Sequence, residues 1–460
     1  MHFPNARQVV DRLRKTMRPE QVLALGFAVL ILLGASVLSL PIASADGKSI
    51  GIFEGLFTAT SAVCVTGLVV VDTGTAFSLF GQIVILLLLQ IGGLGFMVLA
   101  TLVMVMLGRR ITLWDRILIR ESMNTSTLSG MVRLSMWYGA LALLFELAGA
   151  LVLSIRFIPM YGLGKGIYFS LFHAVSAFCN AGFDLFGNYQ SITNFSSDPL
   201  VVLTISTLII TGGMGFAVLF EVIKNRKDLS ALTLHAKLVM TITAGLLVSG
   251  TIFFLLVEWQ NPATLASGMT VPEKVLNSWF QSVTLRTAGF NTIDQASMTQ
   301  TSKLMSVILM FIGASPASTG GGVKTTTMSV LLLIVINTIS GHEDVNVFGK
   351  RLPQDLLRRA LAILFISLMI LIVGTMALTL TESGNGYNFI DLLFEAASAF
   401  GTVGVSAIGT PNLVGMSRAV LILMMYFGRV GPLTIAMAIR AKQGNTANHL
   451  HYPEGRIMIG

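Results

Sequence analysis

Long apolar stretches alternate along this chain with short polar ones. Ser78 to Leu107 carries no charged side chain, and Gly26 to Ala45 is equally free of charge. About 20 apolar residues span the hydrocarbon core of a bilayer, so both stretches predict membrane-crossing helices. The same plan recurs four times: a long apolar helix, a shorter helix rich in small residues, a phrase ending near a glycine, and a second long apolar helix. The predicted boundaries are 20–42, 51–64, 65–68 and 77–107 in the first unit and 131–157, 166–179, 180–183 and 198–224 in the second. They are 236–259, 272–286, 287–290 and 302–340 in the third, and 355–381, 388–400, 402–405 and 416–440 in the fourth. The middle helices, at about 12–15 residues, are too short to cross a bilayer and suit re-entrant helices that dip in and return.

The phrases beginning Phe57, Phe172, Trp279 and Phe394 each lead through ten residues to Gly67, Gly182, Gly289 and Gly404, spaced 115, 107 and 115 residues apart. Solenoid repeats have periods of about 20–50 residues, and this spacing is more than double. Non-helical backbone at membrane depth is tolerated only where it lines a cavity or is buried in protein, so four such segments imply a shared cavity. The expected fold is an all-α polytopic membrane protein. Four fused helix–pore helix–helix repeats with pseudo-four-fold symmetry surround one pore, giving eight transmembrane helices plus four re-entrant pore helices. The repeats cover 20–107, 131–224, 236–340 and 355–440.

The phrases are Val65, Thr66, Gly67; Asn180, Ala181, Gly182; Thr287, Ala288, Gly289; and Thr402, Val403, Gly404. Each predicts a short extended backbone whose glycine can take positive φ without steric cost. A ring of such carbonyls can replace a cation's water shell. Helix C-termini carry partial negative charge, so four of them aimed at one centre favour a cation. A single glycine reads better as a close-packing residue; four, each after a similar helix, favour the pore.

Composition agrees. The chain is 54% hydrophobic and 11% charged, against about 25% charged in soluble proteins. The net charge of +8 could suggest nucleic acid, but its distribution excludes that partner. Arg7, Arg12, Arg14, Lys15 and Arg18 precede the first apolar run; Arg109, Arg110, Arg116, Arg120 and Arg133 follow the first repeat. Lys224, Arg226, Lys227 and Lys237 follow the second, Lys350, Arg351, Arg358 and Arg359 the third, and Arg440, Lys442 and Arg456 close the chain. Basic residues accumulate on the cytoplasmic side. The N-terminal segment 1–19, the tail 441–460 and the inter-repeat loops are therefore expected in the cytoplasm. The first apolar run is too long for a cleavable signal peptide. Cys64 and Cys179 occupy equivalent positions and read as small buried packing residues rather than a disulfide or metal site.

The second long helix of the third repeat is interrupted over 313–327 by Gly313, Ala314, Ser315, Pro316, Ala317, Ser318, Thr319, Gly320, Gly321 and Gly322, followed by Val323 and Lys324. Pro316 removes a helix donor and the glycines weaken the helix further. The expected result is a loop inside the membrane below the filter, between helices 305–312 and 328–339. The corresponding helices of the other repeats are expected to run through. A phosphate-binding loop needs Gly-Lys-Ser/Thr in sequence; Val323 breaks that order. An ordinary kink does not need so many small residues.

Arg429 is the one basic residue midway along the last apolar helix, and intramembrane charges are costly and usually functional. It is expected to donate to loop carbonyls or hydroxyls and to oppose cation passage when closed, with snorkelling to the cytoplasmic edge as the alternative. Lys324 could act similarly. Glu395 and Arg286, in re-entrant helices, read as bracing of the filter. The six histidines form no cluster, so a polytopic membrane enzyme is not favoured.

This plan resembles the TrkH/KtrB/HKT superfamily of potassium transporters over nearly the whole chain. Length, the short N-terminus, Gln281 to Phe290 and the ending Tyr452-Pro-Glu-Gly455 look most like its KtrB-type branch. The resemblance implies potassium uptake down its electrochemical gradient through the filter, with sodium dependence left open, and an obstructing intramembrane loop. In the family a filter serine is associated with sodium preference, and all four positions here are glycine. It also implies a homodimer with one pore per protomer and a cytosolic RCK regulatory ring, KtrA-like, that binds ATP or ADP. The chain itself is not expected to be an enzyme or to hold a covalent cofactor. Val405 departs from the Leu or Phe of the other copies. A sodium-permeable cation channel is the alternative.

Overall fold

The computed structural model describes residues 17–107, 111–122, 131–342 and 344–439. Residues 1–16, Arg109, Arg110 and the tail 441–460, with the cytoplasmic placement expected of them, lie outside the described residues. Four uninterrupted helices are long and apolar enough to cross a membrane: α1 (Pro19–Leu38), α6 (Met131–Tyr161), α10 (Leu234–Val257) and α14 (Gln354–Thr381). Each leads to a helix of 12–16 residues: α2 (Ile52–Val63), α7 (Leu163–Phe178), α11 (Val271–Thr284) and α15 (Phe389–Gly401). These lie close to the expected boundaries. Local chemistry starts several helices. Thr233 caps α10 by accepting from Ala236 N, and Thr270 with Glu273 forms a capping box at α11, satisfying amides that have no partner inside a helix.

The inner helices correct the sequence reading. None of those in the other units runs through. α3 (Leu79–Leu94) and α4 (Phe96–Met106) meet at 100°, α8 (Pro199–Gly213) and α9 (Phe216–Lys224) at 101°, and α16 (Gly415–Val430) and α17 (Pro432–Ile439) at about 93°. The breaks fall at Gly95, Gly215 and Gly431, with φ of 81°, 91° and 96°, a region right-handed helix excludes. Pro432 also lacks the amide that would continue α16. Among the described residues, length and composition give four spans, or up to seven if each bent pair counts as one. The remaining pair, α12 (Gln300–Phe311) and α13 (Thr325–Ile339), is separated by the loop 312–324, somewhat displaced from the expected boundaries.

Packing closes these elements into a ring. Each long helix packs on the short helix that follows it. Each upper inner helix packs on the next short helix: α3 on α7, α8 on α11, α12 on α15, and α16 back on α2. The lower halves lean outward onto the long helices: α4 on α6, α9 on α10, α13 on α14 and α17 on α1. Phe57, Phe172, Phe280 and Phe394 of the short helices are fully buried; in the third copy Phe280, not Trp279, takes the core position. A small hairpin pairs Asn346–Val347 with Lys350–Arg351.

Candidate functional site: a ring of four backbone turns

Each short helix ends in a left-handed residue at the first position of its glycine phrase. Val65, Asn180, Thr287 and Thr402 have φ of 56°, 58°, 72° and 52°. The chain then doubles back: Thr66 N, Ala181 N and Val403 N each donate at 2.8 Å to Ser61 O, Ser176 O and Ser398 O. This is the six-to-one bond of a helix-ending motif that glycine usually occupies. Three of the four left-handed residues are β-branched threonine or valine, for which positive φ is a strained outlier. Gly67, Gly182, Gly289 and Gly404 follow at φ of 93°, 68°, 84° and 99°. Helix hydroxyls lock the turns. Ser61 Oγ accepts from Gly67 N at 3.0 Å, Ser398 Oγ from Gly404 N at 3.1 Å, and Ser176 Oγ donates to Phe183 O at 2.7 Å.

The four phrases meet. A methyl group at Gly182 would lie 2.6 Å from Ala288 O, and one at Gly289 would lie 2.6 Å from Val403 O. A methyl at Gly67 would collide with Ala181 O, and one at Gly404 with Thr66 O. The order is cyclic, so all four carbonyls face one another's glycines around a centre. All twelve expected residues are buried. Among the described residues, none of the carbonyls of Val65, Thr66, Asn180, Ala181, Thr287, Ala288, Thr402 or Val403 accepts a hydrogen bond. Buried carbonyls are nearly always paired, so this ring has acceptor capacity that the described residues leave unused.

Side chains of the short helices hold the chain as it leaves the ring. Glu395 accepts from Ala407 N at 2.9 Å, Ile408 N at 3.2 Å and the Ser406 hydroxyl. His173 Nε2 accepts from Leu185 N at 3.4 Å, and Gln281 pairs with Gln295 at 2.7 and 3.0 Å. The Asn180 amide, oriented to satisfy its neighbours, donates to Ala177 O and Ile209 O and accepts from Thr287 Oγ1 at 3.1 Å. Arg286, expected to brace the filter, lines a cavity of about 10 Å³ together with Ile209, Ile210, Gly213, Leu247 and Val283, and its Nε has no partner among the described residues.

Directly against the ring lies the loop 312–324. Gly321 N donates to Thr402 Oγ1 at 3.0 Å, and Thr319 Oγ1 donates to Phe178 O at 3.2 Å. The loop folds on itself through Gly313 N to Val323 O at 2.9 Å, Thr325 N to Ala314 O at 3.2 Å, and a 3.0 Å contact between the Ser315 and Thr325 hydroxyls. Lys324 Nζ donates to Gly320 O at 2.7 Å. Arg429 sits at the break between α16 and α17 rather than midway along one helix. Its guanidinium donates to Thr319 O of the loop and to Gly92 O and Gly93 O at the break between α3 and α4. Sequence reasoning placed the loop and Arg429 but missed Gly92, Gly93, Gly212, Gly213 and Gly428, whose carbonyls receive them. The recurring pattern of a glycine three residues before each break was a usable signal.

Together these features define a multi-pass helical membrane protein with a buried ring of backbone oxygens on its axis. The family model described as TrkH, cation transport protein, matches residues 14–449, and the chain belongs to that family. It is 42% identical to the Ktr system potassium uptake protein B of Bacillus subtilis, over 98% of this chain and 99% of that protein. It is 40% identical to the potassium/sodium uptake protein NtpJ of Enterococcus hirae, again over 98% and 99%. The crystal structure of the potassium transporter TrkH from Vibrio parahaemolyticus superposes with a TM-score of 0.71 at 19% identity, covering 93% of this chain and 86% of that one.

Proposed function

We propose that this chain is the pore-forming subunit of a Ktr-type potassium uptake system in the bacterial cell membrane. The carbonyls of the four glycine phrases replace the water shell of potassium, and the loop 312–324, held by Arg429 and Lys324, closes the path beneath them. The observation that carries this reading is the ring of buried carbonyls without donors among the described residues, which a desolvated cation satisfies. Its oxygens are backbone dipoles, so discrimination rests on geometry and field rather than on a ring of charged side chains. The short helices act as re-entrant pore helices. The four outwardly leaning lower halves leave the loop as the obstruction on the inner side.

The names of the Ktr-system relatives imply partner subunits; the proposal adds three finer elements, a homodimer with one pore per protomer, a cytosolic RCK regulatory ring that binds ATP or ADP, and cytoplasmic termini. The potassium/sodium uptake relative supports testing sodium as activator or co-transported ion. Growth of potassium-uptake-deficient cells on limiting potassium, with and without the regulatory subunit, tests the proposal. Rescue that depends on Gly182 is expected, and no rescue by a chain inserted normally in the membrane overturns it. Liposome flux of potassium against sodium decides between potassium uptake and a sodium-permeable channel.

A further inference from the structure

Breaking a helix leaves carbonyls and amides without intrahelical partners. At the break between α8 and α9 three of these groups point to one place. Gly213 O accepts from Ser315 N at 3.0 Å, and Gly212 O accepts from Thr319 N at 3.3 Å. From the other side of the break, Phe216 N donates to Ala317 O at 3.0 Å. Phe178 O, at the end of the neighbouring short helix, takes the Thr319 hydroxyl. The other breaks hold the loop less. That of the fourth unit supplies one backbone bond, Gly322 N to Gly428 O at 3.2 Å, and that of the first reaches it only through Arg429.

The seat also constrains conformation on both sides. Gly215 has φ of 91°, and a methyl group there would stand 2.5 Å from Pro316 O. Ala317, which presents its carbonyl to Phe216, is itself held at φ of 53°, a left-handed state that costs a non-glycine residue. Both positive-φ positions lie at the same contact.

We infer that the broken inner helix of the second unit is the seat of the gating loop, with Gly215 and its neighbours as positioning residues that set how often the loop leaves the pore. The inference rests on the proposed gating role of loop 312–324 and adds where the closed state is held. Unseating the loop costs three backbone hydrogen bonds on this one element. Loss of any two shifts the closed population by about tenfold or more.

The experiment measures rubidium uptake by the full-length chain in liposomes without regulatory subunit. The variants are Gly215→Ala, Ala317→Pro, a deletion of residues 314–322, and Gly215→Ala combined with that deletion. Ala317→Pro is confined to the loop; proline requires φ near −65°, and the Ala317 amide bonds to no described group. It therefore carries the test if Gly215→Ala does not insert. Each single substitution is expected to raise flux about tenfold with the preference for potassium over sodium unchanged, and Gly215→Ala to add nothing in the deletion background. If the deletion raises flux and neither substitution does, the seat is wrong while the gate stands. If Gly215→Ala raises flux equally without the loop, it acts elsewhere and the seat is again wrong. If the deletion leaves flux unchanged, the gate itself fails, and the seat with it.

Discussion

The amide of Gly321 donates to the hydroxyl of Thr402 at 3.0 Å. One residue belongs to the loop that interrupts the third inner helix, and the other is the left-handed turn that opens the fourth glycine phrase. Loop and ring therefore share a hydrogen bond, and under the proposed function the position of one is felt by the other. Thr402→Val removes the acceptor and strands a buried amide, at a cost of about 1–3 kcal/mol to the closed loop. Basal rubidium flux should rise about tenfold, and Thr402→Ser should stay close to wild type. Equal flux in both variants would show that this bond does not help hold the loop.

Gly404 tolerates no side chain. Its φ is 99°, and a methyl group would press on Thr66 O and the Gly67 Cα. Gly404→Ala should lower potassium flux by an order of magnitude or more while the protein still reaches the membrane, because one alanine distorts two of the four turns. Surface-expressed protein with normal potassium uptake would contradict this.

Arg429 bridges three carbonyls on two elements: Thr319 of the loop, and Gly92 and Gly93 of the first helix break. A planar guanidinium reaches such separated acceptors, and an ammonium on a flexible stem does not replace it. Arg429→Gln should raise basal flux. Arg429→Lys should raise it nearly as much, since charge without the fork does not restore the bridge. Full restoration of closure by lysine would show that charge alone suffices.

Glu258, at the C-terminal cap of α10, accepts from Thr299 N at 3.0 Å, Thr299 Oγ1 at 2.8 Å and Thr264 Oγ1 at 2.7 Å. Burial raises its pKa, but hydrogen bonds from Ser302, Thr264 and Thr299 outweigh that and leave the carboxyl below its ordinary value. A carboxyl depressed on folding stabilises above its unfolded pKa and loses that contribution as pH falls through the folded one. Thermal stability in detergent should therefore decline below about pH 4.5. Glu258→Gln should be less stable at neutral pH, with a flatter acid limb. An unchanged acid limb in this variant would assign the decline to other groups.

The short helices and their glycines were legible because two independent patterns coincide there, a run too short for a membrane and a recurring phrase. Phe57, Phe172 and Phe394 fall in the core as that phrase implies. The breaks at Gly95, Gly215 and Gly431 were not legible as breaks. One glycine in an apolar run costs only about 1 kcal/mol in helix propensity, so local sequence does not decide between a helix and a right-angle bend. Tertiary partners decide it: the freed carbonyls at these breaks meet Arg429, Ser315, Thr319 and Gly322. The left-handed Val65, Thr287 and Thr402 were hidden for the opposite reason. Their types argue for extended backbone, and only closure of the ring holds them where they are. Arg286 read as a brace because it stands beside the phrase; its Nε has no partner among the described residues.

The most direct measurement is anomalous diffraction from crystals of the protein grown with thallium, a potassium surrogate. Density is expected on the axis among Gly67, Gly182, Gly289 and Gly404, within coordination distance of the carbonyls of Thr66, Ala181, Ala288 and Val403. Thallium transported by the same protein but bound away from that axis would contradict the assignment of the backbone ring as the ion's site.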